Sequence, residues 1–379
     1  MERQPQKQPI PQRSDPERGM AILLLFFLIF ELFSLTVILA RSIEERGREE
    51  GKTPTVQLPD FTQKPTDDPG KPATPVFSGG VLPTPFTVDS NTATLGNEMT
   101  SSYAILVDVS TGKVLAQKDA DAQFSPASMT KVMTLIVACE NLSVEDLDRR
   151  IALTQEAADY VRSGSYAGTS TSLPVESNSI TCIGDEYKME DLLYGIGVAS
   201  AADCTYLIVC EVAGSEEAFV AMMNQKAKEM GLQDTHFDNA VGFDSPNNYT
   251  TAREMAMMMT YAMQSPYIAE FLAVRSENHE IRSYFWQDGI EKNYPVTLIN
   301  SLNSRLEKYP AFHLTTSKLL ATKTGYTTES FMVAAAEGSQ TKDRYVLVLG
   351  NRDSGASTLT QKFKNTMIDM ESLLNTYAK

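Results

Sequence analysis

Apolar and polar positions along the chain fall into three regimes. From Met20 to Ala40 the residues are apolar except for Glu31, Ser34 and Thr36. As a helix this run spans about 31 Å, which matches the hydrocarbon core of a bilayer. The core of a cleaved signal peptide is shorter, so the pattern predicts a retained transmembrane anchor over 20–40, preceded by a tail at 1–19. Residues 41–98 show no apolar period. There Pro54, Pro59, Pro65, Pro69, Pro72, Pro75, Pro83 and Pro85 alternate with Thr, Asp, Gly and Lys. Such a Pro/Thr-rich stretch cannot bury a core and reads as a disordered linker. From residue 99 to 379 the periods of folded elements return. Tyr103–Val109 and Lys113–Gln117 flank Ser110-Thr111-Gly112 as a hairpin. A buried helix is expected over Met129–Cys139 and one or two more over Met189–Val212, with helices by period over Glu216–Met230 and Ala252–Met263. Strands rich in β-branched and aromatic residues are expected at Tyr284–Trp286, Leu320–Thr324, Phe331–Ala336 and Tyr345–Leu349, before a closing amphipathic helix over Thr358–Tyr377. Strands at both ends with helices between them imply a mixed α/β (α+β) domain whose termini share one sheet.

Composition narrows the function classes. The chain has 379 residues, 42% of them hydrophobic, and a formal net charge of −15. The apolar fraction is too high for a disordered chain, and the acidic balance argues against a nucleic-acid partner. Four Cys are no disulfide framework for a chain this long, and their spacing lacks the paired pattern of a structural zinc site. No cofactor and no metal are implied.

The three His (His236, His279 and His313) lie in no G-x-S-x-G turn, and no H-E-x-x-H exists, so a Ser-His-Asp machine is not indicated. A serine can instead be activated by a neutral lysine. Free Lys titrates near 10.4, so such a lysine needs desolvation or a neighbouring cation. Ser-x-x-Lys at a helix start supplies the geometry, because i and i+3 share a face. Of three matches, Ser110–Lys113 falls in the hairpin turn and Ser339–Lys342 in a polar loop. Ser128-Met129-Thr130-Lys131 opens the apolar helix and is the candidate. Far along the chain, Lys323-Thr324-Gly325 sits on an expected strand, followed by Tyr326. It offers a cation, a hydroxyl and close backbone approach.

Together these residues resemble the serine penicillin-binding proteins, specifically the low-molecular-mass D-alanyl-D-alanine carboxypeptidases of the peptidase S11 type. The similar stretches are Tyr103–Gln117, Phe124–Thr134, Asp191–Tyr206, Phe237–Ala256, Thr322–Ala335 and Val346–Ala378, so the resemblance covers about residues 100 to 379. Ser-x-x-Lys, a Ser-x-Asn-type triplet and Lys-Thr-Gly in this order mark the class. The resemblance implies a β-lactamase/transpeptidase-like fold, with an antiparallel sheet, flanking helices, a mostly helical subdomain and a cleft between them. It implies that Ser128 is the acylated nucleophile, Lys131 its general base and Ser200 a proton relay to the leaving group. It also implies that Lys323 helps depress the Lys131 pKa and attracts the substrate carboxylate, which Thr324 hydrogen-bonds, beside Gly325. The N–H groups of Ser128 and Tyr326 would form the oxyanion hole. The implied partners are a peptidoglycan stem peptide, trimmed of its terminal D-alanine, and β-lactams, which acylate the same serine. The basic residues flanking the anchor are balanced, but the resemblance implies an extracytoplasmic domain, hence a cell-membrane protein with a cytoplasmic N-terminus.

One departure stands out. The family carries Asn two residues after the middle Ser, where this chain has Ser200-Ala201-Ala202. Literal Ser-x-Asn matches at Ser245–Asn247, Ser276–Asn278 and Ser301–Asn303 do not follow the Asp191–Tyr206 run, so the motif is placed at Ser200. The alternative function is a catalytically weakened or silent relative that binds or scaffolds in the cell wall. A class A β-lactamase would need Glu-x-x-x-Asn between the middle triplet and Lys-Thr-Gly, and no Glu from Glu211 to Glu307 has Asn four residues later.

Overall fold

A computed structural model describes residues 74–379, apart from 164–172, 174–175, 178–179, 276, 307–308, 327–329 and 352–357. The tail at 1–19, the expected anchor at 20–40 and residues 41–73 of the expected linker lie outside the described residues. Among the described residues no helix is long and apolar enough to cross a membrane.

The main sheet has six strands. In chain order they are β1 (Ala93–Thr94), β2 (Tyr103–Asp108), β3 (Lys113–Lys118) and, much later, strands over Ser317–Tyr326, Ser330–Gly338 and Arg344–Asn351. Between them come β4 (Arg150–Ala152), β5 (Glu186–Lys188), β6 (His279–Gln287) and β7 (Ile290–Leu298), so the last three strands of the chain are β8, β9 and β10. The six-stranded order is β1-β3-β2-β10-β9-β8. The N-terminal hairpin thus pairs with the last strand, Ile105 opposite Val348 and Leu106 opposite Leu347, as termini sharing one sheet require. Strand alternation sets the two faces. Ile105, Val107, Phe331, Val333, Val346 and Val348 point into one core with helices α1 (Lys131–Asn141) and, later in the chain, Ala252–Ala262. Ala104, Leu106, Met332, Ala334, Leu347 and Leu349 point the other way, beneath Phe363, Met367, Met370 and Leu374 of the C-terminal helix Leu359–Tyr377.

Further helices are α2 (Gln155–Ser163), α3 (Met189–Tyr194), α4 (Ala202–Ala213) and α5 (Glu216–Glu229), with Ala252–Ala262 as α6 and Leu359–Tyr377 as α7, and two short helices, Pro266–Phe271 and Asn303–Leu306, lie between these last two. Of these, α3 packs against a second antiparallel sheet of order β4-β5-β6-β7. The run Met189–Val212 holds two helices: after α3 comes a π-helical turn, Gly195–Ala199, and then Ser200 at φ 60°, before α4 starts afresh. Pattern reasoning found the middle of β6 but not β7, whose Glu291, Lys292, Asn293 and Pro295 weaken the strand signal. The hairpin is fixed by Asp288 (φ 54°) and Gly289 (φ 74°), the left-handed pair that a tight two-residue turn requires.

Residues 74–98 differ from the disordered linker expected of them. Val76, Phe77 and Phe86 are buried, the Val76 and Phe77 amides donate to the carbonyls of Leu142 and Cys139, and β1 pairs with β3. The Pro-rich composition hid three apolar anchors spaced too irregularly to form a period.

Asp369 ties α7 to the start of β2. The buried carboxylate accepts hydrogen bonds from the Ser101 amide (2.6 Å) and hydroxyl (2.6 Å) and from the Thr100 amide (3.3 Å) and hydroxyl (2.8 Å). Asp369→Ala strips four donors of their acceptor at once. A loss of about 3 kcal/mol is expected in urea unfolding, since the two donors of buried Ser101 each cost roughly 1–3 kcal/mol when unpaired, while exposed Thr100 can turn to water.

Candidate active site

The segment before Ser128 is pinned to the sheet. The amides and carbonyls of Phe124 and Thr250 exchange hydrogen bonds, and the Phe124 ring stacks between Tyr103 (5.1 Å) and Phe331 (5.0 Å). The chain then turns at Ala127, held at φ 48°, a strained value for a residue with a side chain. Ser128 follows in a 3₁₀ turn, Ala127–Thr130, that runs directly into α1 at Lys131. The spacing places Lys131 one turn below Ser128. Its Nζ lies 3.2 Å from Ser128 Oγ and donates to the Val241 carbonyl at 2.6 Å.

Lys131 is 2% exposed. Burial brings its ammonium down from the usual lysine range to about 7, against the opposing pull of Asp203. Desolvation, one of the two routes by which a lysine can become a base, is the cause of this depression. Thr134, one turn further along α1, donates to the Ala240 carbonyl at 2.7 Å, so two successive carbonyls receive one face of the helix. Asn239 shapes that turn by accepting from the amides of Gly242 (2.7 Å) and Phe243 (2.8 Å).

The second lysine arrives on β8. Lys323, 1% exposed, donates to Ser200 Oγ at 2.8 Å and to the Thr324 carbonyl at 3.1 Å. With the ammonium on a lone pair of Ser200, the Ser200 proton points elsewhere. Ser200 takes this position because the chain reverses there in the left-handed region, between the π-helical turn and α4. Next on β8, buried Thr324 donates to Ser301 Oγ at 3.4 Å. Gly325 then faces the turn that holds Ser128. A Cβ on it would come within 2.7 Å of the Pro126 carbonyl oxygen and 3.3 Å of Ala127 Cβ. Tyr326, half-buried, ends the strand.

The structure therefore gathers Ser128, Lys131, Ser200, Lys323, Thr324 and Gly325 from α1, the α3–α4 break and β8. Two contributors carried no assigned role in the sequence. Val241 acts through a backbone carbonyl, which no side-chain pattern reports. Ser301 belonged to a literal Ser-x-Asn match, but Asn303 is committed to the Arg275 carbonyl (2.6 Å), so only the serine of that triplet reaches Thr324. Ala202, at the departure, is 2% exposed and packs with Val161 and Val241 against Tyr160 and Phe243.

Comparison with known proteins agrees with this geometry. The sequence profile of the peptidase S11 family, D-alanyl-D-alanine carboxypeptidase, matches residues 88–353. D-alanyl-D-alanine carboxypeptidase DacF of Bacillus subtilis is 30% identical over 268 residues, covering 70% of this chain and 60% of that protein. DacC of Escherichia coli is 36% identical over 156 residues, covering 41% of this chain and 37% of its own. The chain thus spans less than two thirds of the length of either relative. Among solved structures, a mutant of the Streptomyces K15 DD-transpeptidase superposes with a TM-score of 0.58 at 22% identity, over 73% of this chain and 97% of that one. A D-alanyl-D-alanine carboxypeptidase from Mycobacterium tuberculosis gives 0.52 at 23%, over 81% and 98%. At such identities the superpositions establish the fold, the antiparallel sheet with flanking helices expected from the sequence.

Proposed function

The chain belongs to the peptidase S11 family of D-alanyl-D-alanine carboxypeptidases, and from that premise we propose that it is a serine D,D-carboxypeptidase acting on peptidoglycan stem peptides. The observation that carries the proposal is a buried amine, Lys131, in hydrogen-bond reach of a half-buried hydroxyl, Ser128. Near neutral pH much of that amine is unprotonated.

Ser128 Oγ attacks the carbonyl carbon of the penultimate D-alanine, and its proton passes to Lys131. The N–H groups of Ser128 and Tyr326 stabilise the oxyanion. The peptide C–N bond breaks as the nitrogen takes a proton from Lys131 by way of Ser200, releasing D-alanine and leaving an ester on Ser128. Water then attacks the ester with Lys131 again as base. Lys323 and Thr324 hold the substrate carboxylate. A β-lactam follows the first half of this path, its ring C–N bond breaking in place of the peptide bond. We further propose that residues 20–40 anchor the protein in the cell membrane with its N-terminus cytoplasmic, so that the domain works on the outer side, where peptidoglycan lies.

Two incubations of the full chain test this. A fluorescent penicillin should label it covalently, and a pentapeptide ending in D-Ala-D-Ala should yield free D-alanine. Labelling without release favours the silent scaffold relative that Ala202 brings to mind. The rate of labelling should rise with pH, through a midpoint near 7, to a plateau, because the reactive form of Lys131 is the neutral one above its pKa. A flat profile between pH 5.5 and 8.5 would remove Lys131 from the role of base.

A further inference from the structure

We propose that Ser301 is a positioning residue for the substrate carboxylate: its hydroxyl accepts the Thr324 hydrogen, and gives one back once a carboxylate takes that hydrogen. The proposal rests on the acyl-enzyme reading above, in which Thr324 holds the carboxylate, and it makes Ser301 a source of selectivity for ligands that carry one.

Ser301 lies on the segment between β7 and β8 and is fixed to both sides of the site. Its amide donates to the Val198 carbonyl at 3.0 Å, in the π-helical turn that leads to Ser200. Its hydroxyl oxygen accepts from Thr324 Oγ1 at 3.4 Å, one residue along β8 from Lys323. Asparagines build the loop around it. The buried Asn300 side chain accepts from the amides of Leu302 (2.9 Å) and Asn303 (3.0 Å), and the Asn300 amide donates to Asn278 Oδ1 at 3.0 Å. Asn303 Nδ2 donates to the Arg275 carbonyl at 2.6 Å. A side chain carried on such a framework keeps its place beside Thr324 when a ligand enters.

A hydroxyl has one hydrogen and two lone pairs, whereas a carboxylate only accepts. Thr324 therefore has a single hydrogen to offer, and it points at Ser301. At 3.4 Å that bond is longer than the usual O–H···O, so the hydrogen is loosely held and turns to a stronger acceptor at little cost. A carboxylate is such an acceptor. Once Thr324 has turned, one of its lone pairs faces Ser301, whose hydroxyl can rotate and donate in its turn. The relay then runs from Ser301 to Thr324 to the carboxylate, and each bond polarises the next. Thr324 is 2% exposed, so a protein hydroxyl is better placed than water to complete it. Alanine at 301 removes the second bond of the relay. A ligand without a carboxylate never calls for it.

Acylation of the full chain by a penicillin and by its methyl ester, followed by intact mass, tests this in the parent, Ser301→Ala and Ser301→Thr. The acid carries the carboxylate and the ester does not, while both open the same ring. In Ser301→Ala the second-order rate for the acid should fall roughly 3- to 10-fold, the worth of one hydrogen bond, and the rate for the ester should stay within about twofold. Ser301→Thr keeps the hydroxyl and should bring the acid back to within about twofold of the parent. Equal losses for acid and ester in Ser301→Ala would make Ser301 a merely structural residue and overturn the proposal, as would unchanged rates for both. A parent that takes acid and ester equally well also overturns it, with acylation left standing. If the parent takes neither, the acyl-enzyme reading falls and the proposal with it.

Discussion

Ser128→Ala is expected to take no covalent label from a penicillin and to release no D-alanine, a loss on the order of 10⁴-fold or more. Its stability should stay within about 1 kcal/mol of the parent. Three serines line the cleft, and geometry separates their roles. Lys131 reaches Ser128, Lys323 reaches Ser200, and Thr324 reaches Ser301. Only a serine hydrogen-bonded to a neutral amine can pass on its proton as it attacks. Beside Ser200 stands an ammonium already donating, which offers no lone pair. The fold should tolerate the change because Ser128 is half-buried and Lys131 keeps its bond to Val241. Intact-mass measurement after incubation with penicillin should show the adduct on the parent, and digestion should place it on the peptide that contains residue 128. Ser200→Ala should still be labelled at that peptide, roughly 100-fold more slowly, as loss of a proton relay commonly costs. Persistent labelling of Ser128→Ala would move the nucleophile elsewhere.

How far the site could be read in the sequence depended on where its chemistry resides. The proposed roles of Ser128, Lys131, Lys323 and Thr324 belong to side chains at fixed local spacings, and the elements around them have strong periods: the helix from Lys131 to Cys139 is buried throughout, and β9 and β10, in the same sheet as Lys323, alternate cleanly between two cores. That is why motif and fold pointed the same way. Ser200 was harder, since its role rests on a left-handed backbone that no propensity forecasts for serine. Val241 could not be found at all, because a carbonyl is common to every residue and only the tertiary fold brings this one to Lys131. The source of the Lys131 shift was left open for a related reason. A sequence leaves desolvation and a neighbouring cation both open, because charges can be counted in it, whereas desolvation is a property of packing that comes into view only in the folded protein. Ala202 looked like a missing group in the alphabet of motifs. In the folded protein it is part of an apolar wall.

Gly242→Ala should be the most damaging change at a position outside the motifs. Gly242 sits at φ +85°, and a Cβ there would overlap the Ala127 carbonyl and lie 2.9 Å from the Ser128 nitrogen. Those are backbone atoms, which cannot rotate out of the way as a flexible side chain can. The methyl group must therefore force apart two turns, the one bearing Ser128 and the one whose Ala240 and Val241 carbonyls receive Thr134 and Lys131. The left-handed backbone alone costs an alanine about 1 kcal/mol, and the overlap brings the expected loss to about 3 kcal/mol. Acylation should fall by roughly 100-fold or more, because the displaced atoms include the N–H proposed to serve the oxyanion and the anchor of the proposed base. Gly231→Ala is the matched control. Gly231 has φ +73° with nothing within 4 Å of its would-be Cβ, so it carries the backbone cost without the collision. Urea unfolding of the two variants should differ by about 2 kcal/mol, and Gly231→Ala should be acylated like the parent. Equal losses in both would mean that the left-handed turn alone sets the cost and that the approach of Gly242 to Ala127 has no part in holding the nucleophile.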